Sequence, residues 1–223
     1  MGYHFEFGWI AEYWPVLLKG VGITLQLIAI GALFGVALGG ACAWVRALGP
    51  AWLRPVVATY VEMIRNTPFL IQLFFVFFGL PSLGVQMSEL QAANLAMIIN
   101  LGAYSCEIIR AGIQATPKGQ FEAGASLGMS RFQTFWYVVL IPSLQRIWPA
   151  LSSQIVIVML GSAAVSQIAA EDLTFAANFI QSRNFRAFEA YAVSTAIYLL
   201  LAILLRQVLR GVGFTLFPRR AAR

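Results

Sequence analysis

No charged residue occurs between Lys19 and Arg46. An α-helix needs about 20 mostly apolar residues to cross the hydrocarbon core of a bilayer, and this stretch is long enough. Similar stretches follow, and the chain is only 11% charged, against about 25% in a soluble domain. The sequence therefore predicts one all-α membrane domain over residues 1–223 with five spans. Their predicted bounds are residues 20–45, 56–80, 90–115, 147–168 and 188–208.

The first residues of the chain are rich in aromatic side chains, among them Phe5, Trp9 and Trp14. Aromatic rings concentrate at the headgroup level of a bilayer. We therefore expect residues 1–19 to form an interfacial segment. No basic stretch precedes an apolar run here, so the pattern differs from that of a secretory signal peptide.

Three glycines of the first predicted span, Gly31, Gly35 and Gly39, are spaced at i, i+4 and i+8. Residues at this spacing share one face of a helix. Two overlapping GxxxG steps let a second helix approach the backbone closely. We expect this face to pack against another span instead of facing lipid.

The second predicted span contains Pro68. A proline inside a helix has no N–H to donate to the carbonyl four residues earlier, here that of Ile64. The sequence therefore predicts a kink at Pro68.

Acidic and basic residues occur three apart in two predicted spans, as Glu62 with Arg65 and as Glu107 with Arg110. Residues three apart are neighbours on a helix surface. If these spans are antiparallel, both pairs lie at one side of the membrane and form a four-member charge cluster. The alternative is that each arginine reaches the lipid headgroups beside its own glutamate.

The segment from Glu107 to Pro142 places charged and small residues between two apolar spans. Thr116 and Pro117 indicate the start of a helix, with threonine as N-cap and proline at the first helical position. Gly128 is suited to end this helix or to act as a hinge. A short polar helix between two spans could dock on a soluble partner, although a plain loop helix is the alternative.

The residues Glu122-Ala123-Gly124, followed by Gly128, resemble the EAA motif of permease subunits in ATP-binding-cassette (ABC) importers. The stretches 117–120 and 62–70 are similar to the polar amino-acid branch of these permeases, the histidine, glutamate, glutamine and arginine type. Two departures are visible. Gly124 stands where the family pattern has alanine, and Pro142 falls one residue later than the usual proline.

This resemblance implies a five-span bundle of the methionine-permease-like type in the bacterial inner membrane. Residues 116–142 would form a cytoplasmic coupling segment that docks on a separate ATPase, which would bind the ATP and Mg²⁺, so that this chain holds no cofactor. A second permease chain, identical or different, and an extracytoplasmic amino-acid-binding protein would complete the importer. The resemblance assigns the ATPase contact to Lys118, Gln120, Glu122, Ala123, Gly124 and Gly128.

Positive charge predicts the orientation, because cytoplasmic loops carry an excess of lysine and arginine. With the N-terminus outside, only Lys19, Arg183 and Arg186 lie outside, and the C-terminus is cytoplasmic. The residues that then lie inside are Arg46, Arg54, Arg65, Arg110, Lys118, Arg131, Arg146, Arg206, Arg210, Arg219, Arg220 and Arg223.

Several function classes lack their sequence signatures. The chain has no GxxxxGK[ST] phosphate loop and no Gly-x-Ser-x-Gly elbow. Cys42, Cys106 and His4 are not spaced as metal ligands, and the basic residues separate apolar spans instead of forming a nucleic-acid patch. A secondary transporter or channel that acts without an ATPase is the alternative function, but we find no internal repeat of the kind common in such proteins.

The end of the fourth predicted span is the candidate substrate path. Permeases of this family often carry a polar or charged residue followed by Thr-Ser-Leu there, and the corresponding residues are Gly161, Ser162, Ser166 and Gln167. A lone buried charge costs at least about 2.5–3.5 kcal/mol, so it is normally kept only for a function. The glycine at position 161 suggests that this chain supplies a wall of the path and that the partner permease holds the substrate's charge. The alternative is that the substrate site lies in this chain.

Overall fold

The computed structural model describes residues 4–217, and within this range all regular structure is helical. Two π-helical segments, Phe75–Gly79 and Thr134–Val139, and one 3-10 segment, Ser162–Ile168, continue neighbouring helices. The α-helices are α1 (Trp9–Leu48), α2 (Leu53–Arg65), α3 (Phe69–Phe74), α4 (Leu80–Ser82), α5 (Glu89–Gln114), α6 (Lys118–Ser126), α7 (Arg131–Gln133), α8 (Leu140–Gly161), α9 (Leu173–Asn184) and α10 (Ala187–Leu216).

Among the described residues, four helical lengths are long and apolar enough to cross a bilayer: Trp9–Leu48, Glu89–Gln114, Thr134–Ile168 and Ala187–Leu216. The prediction of an all-α membrane bundle is confirmed. The helical stretch that contains the fourth predicted span begins earlier than expected, at Thr134. The last part of the predicted coupling segment 116–142 therefore belongs to this span.

The second predicted span is two helices at a sharp angle. The helices Leu53–Arg65 and Phe69–Ser82 are bent by 112°, so the expected kink is a complete break. Pro68 has an extended backbone, with ψ of 138°, and it has no N–H to continue the ladder of α2. The pair nevertheless follows the length of α5, because Arg54 lies beside Gln114 at one end and the chain reaches Ser88, the N-cap of α5, at the other. Counted as one broken span, it gives the predicted total of five.

The predicted interfacial segment is not a separate element, since α1 already begins at Trp9. At 1.5 Å per residue, a helix of this length measures roughly 60 Å, about twice the hydrocarbon core. Its ends therefore reach past the core, and the aromatic residues near its start belong to its first turns.

The glycine face of α1 lies against α5, and the two helices converge along it. A Cβ atom built on Gly31 would lie 3.5 Å from the Cβ of Met97, and one on Gly35 would lie 3.0 Å from the Cβ of Leu101. One on Gly39 would lie 2.8 Å from the carbonyl oxygen of Gly102. The backbones thus approach most closely at Gly39, where no side chain fits.

The opposite end of the bundle is joined by buried polar groups. Asp172 caps α9 by accepting from the N–H of Phe175 at 2.8 Å, and its second oxygen accepts from the Tyr198 hydroxyl at 2.9 Å. The N–H of Leu173 donates to the Thr24 hydroxyl at 3.2 Å. These bonds tie α1, α9 and α10 together.

Substitution of Gly39 tests the convergence of α1 and α5. We expect Gly39→Ala to destabilise the purified protein by about 1–3 kcal/mol, the usual effect of overpacking. Gly40 is the matched control, because a Cβ there meets nothing within 4 Å. Gly40→Ala should be neutral or stabilising by up to about 1 kcal/mol. Thermal unfolding in detergent measures both, and equal midpoints for the two variants would contradict the close approach.

Candidate functional site

The helix α6 ends as the sequence predicts, at a glycine in the left-handed region. Gly128 has φ of +72°. Its N–H donates to the carbonyl of Ala125, and the N–H of Met129 donates to the carbonyl of Gly124, both at 3.0 Å. This pair of bonds is the Schellman motif, which satisfies the last carbonyls of a helix.

The start of α6 differs from the expectation. Pro117 is the N-cap residue and no side chain caps the helix, so Thr116 is not the cap. The Thr116 hydroxyl lies 3.0 Å from that of Ser143 and 3.5 Å from the carbonyl oxygen of Gly112. A buried hydroxyl needs a partner, and α8 brings one from a distant part of the sequence. Thr116 therefore joins the end of α5 to α8.

Most of the α6 surface is uncovered by the rest of the chain. Of the predicted contact residues, Lys118, Glu122, Ala123 and Gly128 are exposed, Gln120 is half-buried and Gly124 is buried. Large apolar side chains lie exposed beside them: Phe121, Leu127, Phe132, Trp136 and Tyr137. Trp136 and Tyr137 fall within the candidate span that begins at Thr134, where exposed apolar side chains face lipid, whereas Phe121 and Leu127 belong to α6 and its C-cap.

The glycine at position 124 has a structural reason. A Cβ built on Gly124 would lie 2.5 Å from the hydroxyl oxygen and 2.6 Å from the methyl carbon of Thr134. Thr134 opens the π-helical segment Thr134–Val139, so this segment occupies the space of an alanine side chain. The departure from the EAA pattern therefore lets α6 lie closer to the following span.

Three arginines surround one carboxylate at the α6 end of the bundle. Arg110 donates to Glu107 from Nη2 at 2.6 Å, Arg46 donates to the same carboxylate, and Arg65 Nη1 lies 4.0 Å from it. The four-member cluster, one of the two alternatives that the sequence leaves open, differs from the observed cluster in two respects. Glu62 is exposed and forms no ion pair within residues 4–217, and Arg46 of α1 takes part instead.

A cavity of about 450 Å³ lies beside the break in the second span. The side chain that closes this break is Gln72, whose Nε2 donates to the carbonyls of Ile64 at 2.7 Å and of Thr67 at 3.0 Å. Its Oε1 accepts from Asn100 at 2.9 Å. Asn100 lines the cavity, together with Thr67, Pro68, Phe69, Tyr104, Gln154, Ile157, Val158 and Gly161.

The structure places only one of the four candidate substrate-path residues, Gly161, in the lining of this cavity. Ser162 and Ser166 are buried, and their hydroxyls donate to carbonyls of their own turn, those of Met159 at 2.7 Å and Ala163 at 2.8 Å. Gln167 is exposed elsewhere.

Sequence reasoning missed four polar residues of the lining, Thr67, Asn100, Tyr104 and Gln154. A usable signal was present for Asn100 and Gln154. Both interrupt apolar spans, and polar residues inside a membrane are usually functional.

The chain matches, over residues 31–213, the protein family described as "Binding-protein-dependent transport system inner membrane component". The chain belongs to this family. It is 32% identical over 210 residues to the glutamine transport system permease protein GlnP of Escherichia coli K12. The aligned region covers 92% of this chain and 95% of that protein. It is 34% identical over 198 residues to the L-cystine transport system permease protein TcyB of Bacillus subtilis, with 88% and 85% covered.

Solved structures of ABC transporters also superpose on this chain. An amino acid ABC transporter crystallised with histidines superposes with a TM-score of 0.86 at 34% identity, covering 95% of this chain and 99% of that one. The MetNI methionine ABC transporter superposes with a TM-score of 0.76 at 19% identity over 90% of this chain and 96% of that one, and it shows the fold alone. The resemblance to amino-acid ABC permeases and the methionine-permease-like fold are confirmed. The protein is an inner-membrane transport component for amino acids.

The contact between Gly124 and Thr134 yields a prediction. We expect Gly124→Ala to lower the stability of the protein by about 1–3 kcal/mol through overpacking and to slow amino-acid uptake, because α6 must shift. The matched control is Gly119→Ala on the same helix, where a Cβ meets nothing within 4 Å. Adding Thr134→Ala to Gly124→Ala should recover part of the loss. Equal losses in the two alanine variants, measured by thermal unfolding and uptake in vesicles, would contradict the contact.

Proposed function

We propose that this chain forms the translocation pathway for a polar amino acid and couples to a separate ATPase through α6. The observation that carries the proposal is the exposed surface of α6, which ends in a Schellman motif at Gly128 and leaves Glu122 and Leu127 uncovered at one end of the bundle. The partner ATPase would bind the ATP and Mg²⁺. A second permease chain and an extracytoplasmic binding protein complete the proposed importer.

The contacts of α6 suggest how a movement there reaches the pathway. Thr116 bonds to Ser143 at 3.0 Å, and Arg146 donates to the carbonyl of Ala115 at 2.9 Å. Both bonds run to α8, and the Thr116 hydroxyl also lies 3.5 Å from the carbonyl oxygen of Gly112 in α5, so the segment before α6 is fastened to both helices. ATP-driven closure of the ATPase would draw the two α6 helices of a permease pair together and bias the bundles between inward-open and outward-open states.

The cavity beside the broken span is the proposed substrate route. Its polar lining within the described residues is uncharged, with Thr67, Asn100, Tyr104 and Gln154 as hydrogen-bonding groups. Neutral donors and acceptors suit a polar amino acid, in agreement with the glutamine and cystine relatives. Identity of the substrate would then depend mostly on the binding protein and the second permease.

The proposed orientation places the N-terminus outside and α6 in the cytoplasm. If the broken pair is one span, the chain crosses the membrane five times, so its N- and C-terminal ends lie on opposite sides. The positive-inside rule then favours a cytoplasmic α6 and an N-terminus outside. Arg46, Arg65, Arg110 and Lys118 all lie at the α6 end. The terminal arginines Arg219, Arg220 and Arg223, which also favour this orientation, lie outside the described residues. Family membership favours this function over a secondary transporter or channel that acts alone.

Charge reversal at Glu122 tests the coupling role. Like charges brought together at an interface cost several kcal/mol, so we expect Glu122→Lys to weaken co-purification of the ATPase more than tenfold and to abolish uptake while the protein still inserts. Glu12→Lys is the control, because Glu12 is also exposed but lies in the first turn of α1. Normal uptake and co-purification with Glu122→Lys would show that α6 does not dock there.

Gly161→Asp tests whether this chain is a wall of the path. A Cβ at Gly161 meets nothing within 4 Å, so Gly161→Ala should transport normally and serves as the control. We expect Gly161→Asp to slow the uptake of every amino acid without changing which one is preferred, because a carboxylate enters a cavity of uncharged side chains. Competition assays with acidic, basic and neutral amino acids measure the preference. A change in preference would place recognition of the substrate's charge at this position.

A further inference from the structure

A second cavity, of about 390 Å³, lies between the end of α1, the start of α2 and the end of α5. Three arginines line it: Arg46, Arg54 and Arg110. Ala47 and Ile113 contribute apolar surface. Since α5 leads directly into α6, this cavity lies at the α6 end of the bundle and is separate from the proposed substrate route.

Positive charge exceeds negative charge in this cavity. Arg46 and Arg110 share the single carboxylate of Glu107, which itself lies outside the lining. Arg54 forms no ion pair with any of the described residues, and its one hydrogen bond there is from Nε to the carbonyl of Gly49 at 3.0 Å. Its terminal nitrogens remain available to a ligand. Several arginines around one cavity, with a single carboxylate between two of them, are suited to an anionic oxygen group such as a phosphate.

The position of Arg54 strengthens the requirement for an anion. Arg54 is the second residue of α2, which begins at Leu53. The N-terminus of a helix carries partial positive charge, so a basic side chain in the first turn is unfavourable unless an anion lies nearby. No acidic residue occupies the first turn of α2.

The surroundings of the cavity indicate a lipid. Exposed apolar side chains lie close to its lining residues in the sequence: Trp44, at 41% exposure, two residues before Arg46; Trp52, at 72%, the N-cap of α2; and Val56, at 59%, two residues after Arg54. Tryptophan prefers the level of the headgroups, and apolar side chains there contact acyl chains. A free phosphate ion gains nothing from such surroundings, whereas a phospholipid uses both the arginines and the apolar rim.

We propose that this cavity binds the phosphate group of an anionic phospholipid through Arg46, Arg54 and Arg110, with the acyl chains lying along Trp44 and Val56. Basic pockets between membrane helices are suited to such headgroups. The site fastens the turn between α1 and α2 to the membrane surface. The proposed function enters only in the assignment of the cytoplasmic leaflet, so lipid binding itself can be tested without measuring transport.

The test titrates the full-length chain, purified in neutral detergent, with phosphatidylglycerol or phosphatidylcholine and counts bound lipid by native mass spectrometry. We expect phosphatidylglycerol to bind preferentially and Arg54→Gln to weaken it about fivefold, as expected for the loss of one basic residue near a lipid surface. Arg54→Lys keeps the charge and should retain most of the binding. Arg183→Gln is the matched control, because exposed Arg183 of α9 lies outside this cavity, and it should leave binding unchanged.

Four outcomes would overturn the proposal. Equal binding of phosphatidylcholine would remove the role of charge, and an equal loss with Arg183→Gln would show that only net charge matters. Displacement of phosphatidylglycerol by millimolar inorganic phosphate would indicate a free-anion site. Unchanged phosphatidylglycerol binding by Arg54→Gln would exclude Arg54 from the site, and reduced co-purification of the ATPase from cells that express this variant would then make Arg54 a protein contact.

Discussion

The approach of the α1 backbone to the α5 backbone positions the α6 end of the bundle. Lipid chains are as apolar as the helix surfaces, so membrane helices associate through close packing and polar contacts. A Cβ atom built on Gly31 would lie 3.5 Å from the nearest atom of α5, the Cβ of Met97, whereas one built on Gly39 would lie only 2.8 Å from the α5 backbone, at the carbonyl oxygen of Gly102. About two turns beyond Gly39, this convergence brings Arg46 of α1 to Glu107 of α5. The arginine cluster therefore depends on three glycines that carry no chemistry themselves.

The broken span imposes a second requirement. Backbone carbonyls that lose their helical partners cannot remain unpaired in hydrocarbon. At the break, the carbonyls of Ile64 and Thr67 accept from Gln72, and Asn100 of α5 bonds the other end of that amide. The Gln72–Asn100 pair thus allows the chain to turn through 112° beside a cavity without leaving polar groups unsatisfied. A hydrogen-bonding cavity and a satisfied backbone arise from the same residues.

Local patterns in the sequence predicted most of the fold, and features that depend on distant contacts were missed. The lengths of the apolar runs and the spacing of Gly31, Gly35 and Gly39 are local, and the structure places them in spans and at a helix contact. The Thr116 cap was wrong because Ser143 offers its hydroxyl a partner that no capping rule includes. Gln72 is visible as a polar residue in an apolar span, but its role is not, since the carbonyls that it satisfies become unpaired only after the chain has broken at Pro68.

The same distant contacts determine what can move. Thr116 and Arg146 tie the segment before α6 to both α5 and α8, and Thr134 packs on Gly124 from the other side. On the proposed function, a force on α6 therefore moves α5 and α8 together unless these contacts break. α5 and α8 carry Asn100 and Gln154 of the cavity, whereas Thr67 and Phe69 lie at the break. The width of the cavity then changes by movement of the α5–α8 pair against the broken span. Two hydrogen bonds join α5 to that span, Asn100 to Gln72 at 2.9 Å and Tyr60 to the carbonyl of Ile99 at 2.7 Å, so this movement must strain or break them.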